Sequence, residues 1–126
     1  MITDSAKKKI LSYLGLARKS GKAVLGADRV ISAVRGKQCF AVLLADDASA
    51  RTGKQIRDKC SSYGAPLVEC GITGDELAKA AGAGMTLSAA AVTDRGIAGA
   101  ILSEAGSDPQ NNQLNERIFP RESGNR

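Results

Sequence analysis

Gly15-Leu-Ala-Arg-Lys-Ser-Gly21-Lys-Ala-Val-Leu-Gly26-Ala-Asp-Arg-Val-Ile-Ser-Ala-Val-Arg-Gly36-Lys37 is the stretch whose reading decides the fold. It sets glycines at 15, 21, 26 and 36 among six Lys or Arg residues. Upstream, Ile10, Leu11, Leu14 and Ala17 share one helical face, and Gly21 stands where a helix C-terminal glycine belongs. Ala23-Val-Leu25 reads as a short extended run ended by Gly26. Ala27, Val30, Ile31 and Val34 then recur at i, i+3, i+4 and i+7, predicting an amphipathic helix stopped by Gly36. A helix start beside clustered cations is a ready place for a phosphate backbone.

The same alternation continues outward. Cys39-Phe-Ala-Val-Leu-Leu-Ala45 is an apolar run of strand length, as for a strand buried on both faces. Thr52-Gly-Lys-Gln55 has capping-box spacing with Thr52 as N-cap, opening a helix with Ile56, Cys60 and Tyr63 on its apolar stripe. Pro66-Leu-Val-Glu-Cys70 reads as the next strand. Thr73-Gly-Asp-Glu76 is a second capping box, before a helix through Leu77, Ala80 and Ala81 that Gly82-Ala-Gly84 breaks. Ser88-Ala-Ala-Ala-Val-Thr93 is read as a strand, although alanine favours helix, because glycines precede it and Asp94 suits the N-cap of a last helix carrying Ile97, Ala98, Ile101 and Leu102. The order α-β-α-β-α-β-α-β-α predicts an α/β protein, a three-layer α/β/α sandwich with a central four-stranded mixed sheet. Residues 1–105 form one expected domain, and 106–126, rich in Ser, Asp, Pro, Gln and Asn, an expected flexible polar tail.

Composition narrows the function. Of 126 residues, the first 37 carry nine Lys/Arg against Asp4 and Asp28, a local charge of +7, while the remainder sums to −2. That asymmetry suggests a polyanion partner on one side, or else a basic face that is simply solvated. No apolar run reaches membrane-spanning length and no signal-peptide core follows the N-terminal charges, so a cytoplasmic protein without membrane contact is expected. Three cysteines without a Cys-x-x-Cys pair indicate neither a disulfide framework nor a zinc site, and Cys39 and Cys70, in apolar runs, are expected to be buried, inert thiols. There is no histidine, which removes the commonest general base and metal ligand. No catalytic residue, cofactor or metal is expected.

Sharper readings fail on spacing. Gly15 to Gly21-Lys22 superficially resembles a Walker loop, but five residues separate the glycines where four are needed, and Ala23 replaces the magnesium-binding Ser/Thr. Asp46-Asp47 and Asp94 follow strands and read as turn and cap residues rather than a carboxylate site. What remains is a surface for RNA. The outer face of the second helix carries Asp28, Arg29, Ser32 and Arg35, with free first-turn N–H groups next to Lys22 and Arg29. Arg and Lys can take phosphates, and Asp28 and Ser32 can read base edges. Aromatic residues make up only 3% of the chain, so recognition of folded RNA by shape fits better than broad base stacking.

Taken in order, Gly15-Leu-Ala-Arg-Lys-Ser-Gly-Lys-x-Val-x-Gly26, Ala41-Val-Leu-Leu-Ala-Asp-Asp-Ala-Ser49, Asp58-Lys-Cys-x-x-Tyr63, Glu76-Leu-Ala-Lys-Ala-Ala-Gly82 and Ala91-Val-Thr-Asp-Arg-Gly96 resemble the ribosomal L7Ae/L30e superfamily over about residues 9–104. Within it, the likeness is to bacterial YlxQ-type RNA-binding proteins. The resemblance implies an L30e-like sandwich that binds structured RNA, a kink-turn or ribosomal RNA, as a monomer and without catalysis, and an association with the ribosome. It implies an RNA surface made of Gly21, Lys22 and Gly26, then Ala27, Asp28, Arg29 and Ser32, then the loop Ala83, Gly84, Met85, Thr86, Leu87 and Ser88. Where kink-turn binders of the family carry Asn, Glu and Lys, this chain carries Asp28, Arg29 and Ser32. Two rival readings are a recognition module working with a separate RNA-modifying enzyme, and a protein-interaction scaffold.

Overall fold

The expected alternation is realised throughout the computed structural model, which describes residues 3–106. The elements are α1 (Asp4–Lys19), β1 (Ala23–Leu25), α2 (Ala27–Arg35), β2 (Ala41–Leu44), α3 (Ala50–Tyr63), β3 (Leu67–Val68), α4 (Gly74–Ala81), β4 (Ala89–Val92) and α5 (Arg95–Ala105). The expected polar tail lies, after Gly106, outside the described residues. The sheet order is β1-β4-β2-β3. β4 is antiparallel to both β1 and β2, while β2 and β3 are parallel, so the sheet is mixed as expected.

Period-two alternation sends each central strand into two cores. Ala41 and Leu43 of β2, with Ala90 and Val92 of β4, face α1, α4 and α5 through Ile10, Leu14, Leu77 and Ile101. Val42 and Leu44, with Ala89 and Ala91, face α2 and α3 through Val30, Val34, Ile56 and Cys60. The alanine run is a strand because its neighbours on both sides supply the ladder: Ala89, Ala90 and Ala91 pair with Leu44, Leu43 and Val42, and Ala90 and Ala91 also pair with Leu25 and Val24. Tertiary pairing here overrides alanine's helix propensity. The small side chains also leave room for large residues on both flanking strands.

Several boundaries differ from expectation: β2 keeps Ala41–Leu44 of the expected Cys39–Ala45 run, and β4 keeps Ala89–Val92 of Ser88–Thr93. The cap of α3 is Ser49, not Thr52: the Ser49 Oγ accepts the Thr52 N–H at 3.1 Å, so Thr52 lies inside the first turn. Ser49 offers the same hydroxyl chemistry one turn earlier, and Ala50 and Arg51 extend the helix. β3 keeps only Leu67 and Val68 of the expected Pro66–Cys70 run, because it is an edge strand with β2 as its single partner. Cys70 is consequently half-buried, whereas Cys39 and Cys60 are buried. Burial pushes the thiols up, to about 11 for Cys39 and Cys70 and about 12 for Cys60, which keeps all three protonated at neutral pH.

Other caps stand where the sequence placed them. The Asp94 carboxylate accepts the Ile97 N–H at 2.8 Å, and Thr73 and Glu76 form a reciprocal capping box on α4. The Glu76 carboxyl is held below its ordinary 4.5, first by the Thr73 N–H it accepts and then by nearby Lys7. A carboxyl whose folded value is depressed stabilises fully above its unfolded value and loses that contribution as pH falls through the folded value. Glu76→Gln, which keeps an acceptor oxygen, is therefore expected to flatten the stability loss below pH 4.5 seen in acid titration of the parent protein.

α2 ends in a Schellman turn, with the Lys37 N–H on the Val34 carbonyl and the Gln38 N–H on the Ala33 carbonyl. The left-handed position of this turn belongs to Lys37, at φ 57°, although a glycine stands one residue before it. Lys37→Gly is expected to raise stability by about 0.5–1 kcal/mol, read as a higher urea midpoint with unchanged slope. A lower midpoint would show that Lys37 makes a stabilising contact larger than the strain.

Candidate nucleic-acid interface

Gly26 is the N-cap of α2, with φ 96° and ψ 145°, a region open in practice only to glycine. It brings no side chain to cap the helix. The first helical bond is Val30 N–H to Gly26 carbonyl, so the N–H groups of Ala27, Asp28 and Arg29 have no partner among the described residues. The partial positive charge of a helix start thus opens to solvent. Asp28, Arg29 and Ser32 are exposed around it, while Ala27 is half-buried against the α2–α3 core. Ala27 therefore contributes its N–H and a small side chain rather than a reaching group.

The loop before β4 meets this helix start through the sheet. The Gly26 N–H donates to the Ala89 carbonyl at 2.9 Å, and the Ala45 N–H donates to the Ser88 carbonyl at 2.8 Å. The loop is further pinned at Gly74, whose carbonyl accepts the Leu87 N–H at 3.2 Å and whose own N–H donates to the Asp47 carboxylate at 2.8 Å. Leu87 is a buried anchor in the α1–α4–α5 core. The residues offered outward are Gly84, Met85 and Thr86, with Ala83 and Ser88 half-buried. Met85 is 76% exposed, the most open of the large apolar residues among those described. Sequence reasoning treated 83–88 as one loop; the structure divides it into a presented tip and a fixed stem.

The glycine turn lies apart from that cluster. Gly21 (φ 72°) follows the end of α1, the Lys22 N–H donates to the Ala17 carbonyl, and the Lys22 carbonyl accepts the Thr93 N–H. Lys22 and Gly26 are thus at opposite ends of β1, about 13 Å apart at strand rise. A depression of about 350 Å³ bridges them, lined by Arg18, Gly21, Ala23, Val24, Leu25 and Arg29. β1 is one of the two outer strands of the sheet, and its register puts Lys22, Val24 and Gly26 in hydrogen-bonded positions. By antiparallel alternation, the backbone groups of Ala23 and Leu25 point outward along this depression. Arg18 was missed as a site residue. Its signal was present in the sequence as a cation in the last turn of α1, but only the sheet order shows that α1 ends beside the free edge.

Among the described residues, no group of three His, Cys, Asp or Glu is placed to hold a metal ion, and no helix is long and apolar enough to cross a membrane. The mixed α/β/α sandwich and its uncapped helix start, with Asp28 and Arg29 exposed around it, define a small α/β domain with one open helix N-terminus. The chain belongs to the ribosomal protein L7Ae/L30e/S12e/Gadd45 family, whose model matches residues 8–101 and so includes every candidate residue above. It is 37% identical over 93 residues to RNA-binding protein YlxQ of Bacillus subtilis (strain 168), covering 71% of this chain and 88% of that one. A solved Bacillus halodurans protein of unknown function superimposes with a TM-score of 0.71 at 31% identity, covering 76% of this chain and 95% of the other. The Giardia lamblia 15.5kD RNA binding protein shares the fold with a TM-score of 0.71 at 14% identity, over 88% of this chain and 93% of that one.

Proposed function

We propose that this protein binds structured RNA, a kink-turn or a ribosomal RNA segment, without catalysis, as a monomer associated with the ribosome in the cytoplasm. Residues 1–105 carry that function. The observation that supports it most is the uncapped α2 start, held by the Gly26–Ala89 hydrogen bond beside the strand into which the exposed 84–86 tip leads. An RNA backbone bent across this end meets unpartnered N–H groups and Arg29 on one side and an exposed apolar tip on the other. Relatedness to an RNA-binding protein of Bacillus subtilis supports the same reading.

In this reading Arg29 and Lys22 hold phosphates, Asp28 and Ser32 accept or donate at base edges, and Met85 packs on a base or ribose face. The test is titration of the full chain with a kink-turn RNA and with a duplex of equal length. Preference for the kinked RNA is expected, together with a fall in affinity of about tenfold for Asp28→Ala, the loss of one base-edge contact. Equal affinity for both RNAs at every salt concentration would refute the kink-turn reading. Retention of full affinity by a Lys22→Ala/Arg29→Ala variant would refute the placement of the surface.

A further inference from the structure

The opposite end of the sheet carries a second site. Gly26 and the loop tip sit at the Ala89/Leu44 end of the central strands, whereas a cleft of about 560 Å³ opens at the Ala41/Val92 end. Its walls include Lys37, Phe40, Tyr63, Pro66, Arg95 and Gly99. No acidic residue lines it. Among the described residues, neither Lys37 nor Arg95 has an ion-pair partner. The Arg95 guanidinium lies over the Phe40 ring, 4.9 Å from its centroid, which orients it without neutralising it. The start of α5 beside it is already capped by the Asp94 carboxylate, which accepts the Ile97 N–H at 2.8 Å, so the two side-chain cations are the groups the cleft offers to an anion.

Two features distinguish this cleft from an ordinary surface groove. Its volume lies in the range of small-molecule sites, and its wall joins apolar side chains, with Tyr63 40% exposed, to two unpaired cations. In addition, Lys37 reaches the cleft from a left-handed backbone position that the neighbouring Gly36 could have filled without strain. A strained residue kept in a cleft points to a role for its side chain. We infer that this cleft binds a free mononucleotide, its phosphate between the Lys37 and Arg95 side chains, and its base against Tyr63 and Pro66. The site lies at the end of the sheet away from the α2 start and the loop tip, the end where Lys22 meets Thr93, and goes beyond the RNA-binding reading.

The test is an NMR titration of the full-length, isotope-labelled chain with adenosine monophosphate, inorganic phosphate and adenosine. Adenosine monophosphate is expected to move the amides of Lys37, Phe40, Tyr63, Arg95 and Gly99, with phosphate or adenosine alone at least about tenfold weaker, because each supplies half of the contacts. Lys37→Gly, which keeps the turn and relieves its strain, is expected to weaken the nucleotide about tenfold. Gly99→Leu, built into open space, is expected to abolish the response by filling the cleft. No shift at these amides, an equal response to inorganic phosphate, or shifts confined to Ala27, Asp28 and Arg29 would overturn the inference. So would displacement of the nucleotide by a kink-turn RNA, which would make the cleft part of the RNA surface. Failure here leaves the RNA titration above unaffected.

Discussion

Gly74→Ala is expected to destabilise the protein by about 3 kcal/mol and to weaken RNA binding in the fraction that still folds. A Cβ built at Gly74 collides with the Thr86 hydroxyl and lies 2.7 Å from the Leu87 carbonyl oxygen. The hydroxyl can rotate away, but the carbonyl belongs to a backbone whose N–H is bonded to Gly74 itself and whose side chain is locked in the core. Relief therefore moves either the start of α4 or the stem of the 83–88 loop. The first breaks the Asp47–Gly74 hydrogen bond, and the second shifts Ser88 off Ala45. Urea unfolding measures the stability loss, and amide exchange at Leu87 reports whether the loop stem opens. An unchanged midpoint with full protection at Leu87 would show that the loop is not fixed through Gly74. Asp47→Ala, which deletes one hydrogen bond and adds no bulk, is expected to cost only about 1 kcal/mol.

That coupling also explains which parts of the molecule could be read from the chain. Strand and helix order followed from periodicity, and so did the exact span of β1, because glycines bracket it at 21 and 26. The Thr73 and Asp94 caps were legible because cap chemistry is local, spanning three residues. The Ser49 cap was misplaced by the same locality: Ser49 and Thr52 are both competent, and the choice depends on where β2 delivers the chain. Asp47 lies in a turn, as the sequence indicated, and its carboxylate in addition takes a partner 27 residues on, a relation no local pattern contains.

The candidate site divides along the same line. The α2 face, with Asp28, Arg29 and Ser32 outward, was legible because one helix determines it. That Leu87 turns inward while Met85 turns outward was not, since the loop has no period and its direction is set by Gly74 and Ala45 from other elements. The place of Arg18 beside Arg29 was likewise invisible, because it depends on β1 being an outer strand. Exposure could therefore be read from the sequence at the level of a helix face, but not at the level of a groove assembled from three elements.

The largest effect on binding is expected from removing both arginines of that groove. Arg18→Ala with Arg29→Ala should weaken affinity for a kink-turn RNA about 100-fold near 0.1 M salt, the loss of two charge-assisted phosphate contacts. The plot of log affinity against log salt should become shallower by about 1.5–2, since each neutralised phosphate no longer releases its counterion. Arg18 and Arg29 line one depression beside the outward backbone groups of Ala23 and Leu25, so a strand running along β1 meets both. A control of equal charge is available on α3: Lys54→Ala with Arg57→Ala removes two exposed cations, already paired with Asp58 and Glu69 at 2.8 Å each, and should leave affinity and slope nearly unchanged. If the two variants reduce the slope equally, the +7 of the first 37 residues acts as a diffuse field. If only the arginine variant does so, RNA follows the free edge of the sheet, and the glycines at 21 and 26 mark the two ends of its track.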